Sequence, residues 1–108
     1  MTLKLNNKNI EVTIAKDFKT RLLGLMGQKN IQKGILFPNC NAIHTFFMKE
    51  NINVFGLNKD NQVIFIYLDV PKNKIVKVSD DSKKTSILEL PKNVCTSLHV
   101  GSVLKFKD

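Results

Sequence analysis

The chain has 108 residues, 43% of them hydrophobic, with a formal net charge of +8 and two cysteines. That length suits one domain, residues 1–108, able to bury a core without disulfide or metal. No apolar leader opens the sequence and no run of eighteen apolar residues occurs, so a cytoplasmic, soluble protein with no membrane span and two reduced thiols is expected.

The first expected element is a hairpin, LKL at 3–5 and IEVTI at 10–14, alternating apolar and polar around the turn-forming NNKN. The period then changes. Phe18, Leu22, Leu25 and Met26 form one helical stripe, with Asp17 placed to cap and Gly27 to end it, which predicts a short α-helix near 17–27. Arg21 sits on the edge of that stripe, its stem on the core and its head free to reach a partner. Strands follow at GILFP (34–38), a segment from Ala42 to Met48, INVFGL (52–57), QVIFIYLDV (62–70), KIVKV (74–78), SILEL (86–90) and VLKF (103–106). KDN and KN supply turns on either side of 62–70. Connections look too short for parallel crossovers. The predicted fold is mainly β (α+β), an antiparallel barrel or sandwich of seven or eight strands with that one short helix.

The basic charge invites nucleic acid or an anionic membrane, but residues 1–54 carry eight bases against three acids and residues 55–108 nine against six, so no block concentrates the field. Arg21 is the only arginine and Tyr67 the only tyrosine, and Trp is absent. Bidentate phosphate grip and base stacking therefore lack their usual residues, and the charge reads as a solvated lysine surface.

Chemistry-bearing residues gather in CNAIHTFFMK at 40–49. In a strand, Cys40 and His44 stand about 13 Å apart, which rules out a shared zinc or a thiol–imidazole pair. Alternation places Ala42, His44, Phe46 and Met48 on one face and Ile43, Thr45 and Phe47 on the other, a central two-sided strand with His44 and Thr45 as its polar members. His44 reads either as a satisfied core histidine or as a ligand contact at a pocket mouth. Cys95 and His99 share the spacing in a less regular stretch. No phosphate loop, dinucleotide fingerprint, zinc-protease motif or serine elbow is present, and no cofactor or metal is implied.

In order, RLLGLMGQKNI (21–31), GILFP (34–38), IHTFFMKENINVFGLNKDNQVI (43–64), ILELPKN (87–93) and the VG at 100–101 resemble the family called domain of unknown function 192. The resemblance implies a compact bacterial or archaeal β fold without an assigned activity. Arg21, Gly24, Leu25, Met26, Gly34, Phe37, His44, Thr45, Met48, Leu88, Glu89 and Gly101 fit its pattern. Asn53 stands where an Asp is usual, Asn93 where a Gly is, and Ser102 where an Asp is. An Asn cannot act as a general base, so Arg21 beside Asn53 suits binding better than acid–base catalysis.

The leading expectation is thus a non-catalytic module that binds a small molecule or protein partner through a pocket near Arg21, His44 and Thr45, with Asn53 and Met48 also contributing. An enzyme using His44 with Thr45 or Cys95 is the alternative, and a basic surface for nucleic acid or membrane the second. A monomer is the default.

Overall fold

A computed structural model describes residues 1–5, 8–15, 33–45, 48–81, 83–94 and 97–107. Among these residues nine strands are formed: β1 (Thr2–Lys4), β2 (Asn9–Ile14), β3 (Gly34–Phe37), β4 (Ala42–His44), β5 (Ile52–Leu57), β6 (Val63–Val70), β7 (Ile75–Lys77), β8 (Ser86–Pro91) and β9 (Lys105–Lys107). The described residues contain no α-helix, and the helix expected near 17–27 lies outside them.

Seven strands make one curled sheet in the order β6-β5-β8-β3-β2-β1-β9, and β4 and β7 make a second, two-stranded one. The curl brings its two edges together at one end. Gln62 bridges Val103, Val63 N–H donates to Ser102 O at 2.8 Å, and Leu104 N–H donates to Asn61 O at 2.9 Å. The architecture is a half-barrel with a strap of two strands across its outer face.

Pairing is antiparallel except between β2 and β3, which run parallel with Thr13 opposite Ile35. This corrects the expectation that no connection is long enough for a parallel crossover, since residues 15–33 separate these strands.

The two faces of the curled sheet bury separate clusters. Leu3, Ile10, Val12, Phe55, Leu57, Val63, Leu88, Leu90 and Leu104 fill the concave side, drawn from strands all around the curl. Ile35, Phe37, Ile52, Val54 and Ile87 face outward, where Val76 and Val78 of the strap region cover them. β5 and β8 lie in the middle and are clothed on both sides, which explains their nearly unbroken burial. At about 25 cal/mol per Å² of apolar surface, these two layers supply the main drive for folding.

The segment around His44 differs most from expectation. Among the described residues it pairs only with β7, its strand stops at His44, and Ala42 and His44 are exposed while Ile43 packs inward. A strand covered on one face reads as central when its composition is apolar on both. Here Ala42 and His44 belong to a surface, while Met48, expected on the same face, is buried in the core.

Candidate functional site

Three polar groups of Thr45 make four hydrogen bonds to one turn. Its Oγ1 donates to Pro71 O at 2.7 Å and accepts from Lys74 N–H at 2.8 Å. Its own N–H donates to Lys74 O at 2.8 Å, and its carbonyl accepts from Asn73 N–H at 3.1 Å. Asn73 takes a left-handed φ of 64°, the conformation that asparagine tolerates best after glycine. Thr45 is fully buried, and its hydroxyl holds the β6–β7 turn in shape.

Asn53 performs a similar task one layer away. Its Nδ2 donates to Lys92 O at 3.2 Å and Pro91 O at 3.4 Å, and its Oδ1 accepts from Asp69 N–H at 2.8 Å. Asp69 has φ 55°, at the point where the β5–β6 register slips between Ile52 and Val54. A buried amide that donates on one side and accepts on the other joins the end of β8 to a bulge in β6. Met48 belongs to the outward-facing core cluster.

These anchors shape the end of β6 and the turn after it, which form one wall of a groove of about 470 Å³. β7 forms the other, with Tyr67, Leu68, Pro71, Lys74, Ile75 and Lys77 among the lining residues. Apolar side chains in the groove are unusually open for their size, Tyr67 39% exposed, Leu68 52% and Ile75 73%, and Phe65, next along β6, is 42% exposed. Phe65 and Tyr67 present parallel rings with centroids 6.2 Å apart. His44 is the cross-strand partner of Ile75, so it stands beside this groove on the exposed face of the strap. A cluster of exposed large apolar residues is the usual mark of an interaction surface.

Sequence reasoning did not single out Phe65, Tyr67, Leu68 or Ile75. Their alternating pattern identifies a strand, but an edge strand and a covered one carry the same letters. Glu89 was also passed over as a site residue, although an acid inside the apolar run SILEL is a visible signal. It is 4% exposed between Ile35 and Val54, and burial pushes its carboxyl from 4.5 up to about 8.

Arg21 and Cys95 lie outside the described residues. Cys40 is a free thiol whose Sγ lies 3.1 Å from Ala42 O. His99 is exposed, with Nδ1 3.2 Å from both Ser102 Oγ and Val100 O. No group of three His, Cys, Asp or Glu residues is placed to hold a metal ion among the described residues. No described helix is long and apolar enough to cross a membrane.

The family DUF192 (Uncharacterized ACR, COG1430) matches residues 1–106. No curated protein sequence matches the chain. Among solved structures, it resembles a protein of unknown function from Novosphingobium aromaticivorans DSM 12444, with a TM-score of 0.76 and 12% identity, over 97% of this chain and 82% of that one. It also resembles a candidate transcription regulator from Sinorhizobium meliloti 1021, with a TM-score of 0.72 and 18% identity, over 96% of this chain and 89% of that one. At such identities the likeness is one of fold.

Proposed function

Taking as premise that the chain belongs to the DUF192 family, we propose that it is a non-catalytic binding module whose ligand or partner seats in the groove between β6 and β7. The observation that carries this reading is the open apolar cluster of Phe65, Tyr67, Leu68 and Ile75 beside a groove whose backbone is held from behind. A surface of this kind costs solubility and is retained where something covers it.

In this reading Thr45 and Asn53 are positioning residues. Thr45 fixes the Pro71–Lys74 turn and Asn53 fixes Asp69, so both shape the wall without touching what binds. His44 flanks the groove through Ile75, and Met48 supports it from the core. Such preorganisation lowers the ordering cost of binding. The groove runs from His44 across Ile75 to Tyr67, and Arg21, expected beside His44, lies outside the described residues.

An NMR titration of the labelled protein with a set of small aromatic and aliphatic-amide fragments tests this. Shift changes should cluster on residues 65–77 and vanish in Tyr67→Lys. Changes centred on the polar cleft around His99, or no response on 65–77, would count against the groove.

A further inference from the structure

The groove is bordered by strand edges as well as by side chains. β6 is the outermost strand of the large sheet, and among the described residues only its start is engaged on the outer side, where Val63 bonds to the 101–102 backbone. From Ile64 to Val70, no backbone hydrogen bond joins the outer edge to any described residue. In an antiparallel edge strand, alternate residues turn N–H and C=O away from the neighbouring strand, so this stretch presents donors and acceptors that have no backbone partner among the described residues. β7, on the opposite wall, pairs only with β4 among the described residues.

Natural sheets usually blunt such an edge with charge or proline. Phe65, Ile66, Tyr67 and Leu68 do neither. Instead, register irregularities lie at both ends of the β5–β6 pairing, between Gly56 and Leu57 and between Ile52 and Val54. They confine regular pairing to the short middle of β6. The charge around the groove is uneven as well. Lys77 is paired with Asp80 at 3.0 Å, whereas Lys72 and Lys74 at the turn have no acid within ion-pair distance among the described residues.

Resting on the groove reading above, we infer that the occupant is an extended segment of a partner protein, apolar at alternate positions and acidic at one flank, added as a strand along β6. Main-chain hydrogen bonds to the open edge supply affinity that tolerates sequence variation, and alternate side chains seat against Tyr67, Leu68 and Ile75. Acids at one flank meet Lys72 and Lys74, which fixes the direction of the segment. A second copy of this chain fits less well. At a net charge of +8, it would set lysines against lysines. A phosphate backbone meets Asp69 and the neutralised Lys77 on the same surface.

The test is selection from a random twelve-residue peptide library displayed on phage against the full chain, with the Tyr67→Lys and Ile75→Lys variants as counter-targets. Both side chains are exposed, so the variants keep the fold, and far-UV circular dichroism checks that. Sequences that discriminate against the variants should be apolar at alternate positions with Asp or Glu at one flank. Replacing those acids with alanine should weaken binding at least fivefold. N-methylating alternate amides in one register should weaken it at least tenfold, with little effect in the other register.

Groove-dependent sequences that lack acids, or that tolerate N-methylation in both registers, overturn the strand inference and leave the groove reading standing. No discriminating sequence also overturns it, and the fragment titration then decides the broader reading by itself. Two further results assign the surface to another occupant: a concentration-dependent dimer abolished by Tyr67→Lys, and oligo-dT binding abolished by the same change.

Discussion

Replacing Glu89 by Gln should make the protein more stable at alkaline pH and remove part of its pH dependence. Glu89 lies in the middle of β8, flanked by β3 and β5, and is 4% exposed. Its folded-state pKa is raised from 4.5 to about 8, so the folded protein holds a proton that the unfolded chain releases near 4.5. Stability from this group is therefore fully present below about pH 4.5, falls as pH rises toward 8, and is flat above. At about 1.4 kcal/mol per pKa unit, the span sets a ceiling of about 5 kcal/mol. Water penetration and relaxation around a buried charge reduce that, so a difference of about 2–5 kcal/mol is expected. Glutamine keeps the shape and cannot ionise. Urea unfolding of both proteins between pH 5 and 9, followed by far-UV circular dichroism because Trp is absent, isolates the effect, since all other titrating groups cancel in the difference. The two should be similarly stable near pH 5, with Glu89→Gln the more stable at pH 9. A difference that does not change with pH, or a Gln variant that is weaker at pH 9, would refute the reasoning.

Two further perturbations address the anchors of the groove. Thr45→Val removes a hydroxyl that serves Pro71 O and Lys74 N–H and should cost about 1–3 kcal/mol in thermal or urea unfolding, while Thr45→Ser should recover most of it. If the turn is held as described, hydrogen exchange at Asn73 and Lys74 should accelerate in the Val variant and not in the Ser variant. Asn53→Asp sets a carboxylate against Pro91 O and Lys92 O, which now accept from Nδ2. A loss of about 2 kcal/mol or more at pH 7, shrinking as the carboxyl is protonated toward pH 4, is expected from unfolding curves across that range.

Where local pattern decides the structure, it was readable. INVFGL is strand over the same six residues as expected, because apolar side chains on both faces leave a covered strand as the natural solution. The Asn-containing turns before and after β6 hold Asn61 at φ 60° and Asn73 at φ 64°, as their composition suggested. The 40–49 segment misled for the same reason that 52–57 succeeded. Two-sided apolar character signals central burial, but β4 spends its outer face on an exposed surface beside Ile75. Edge status is a property of topology, and topology depends on pairings such as β2 with β3 that join residues far apart in the chain. Thr45 and Asn53 were visible as unusual polar residues. Their part in shaping residues 69–74 was not, because it depends on contacts across the fold.

The pairing of β1 with β9 bears on how the protein is made. Leu3 pairs with Ile10 and with Phe106, so β1 gains its second neighbour only after β9 has been made. Until then, β1 has one partner instead of two, and the concave layer lacks Leu104 from its lining. Closing so long a loop is entropically costly and favours slow, late consolidation. A nascent chain would thus pass through a stage with both ends of its large sheet open, when a companion that guards strand edges would matter most.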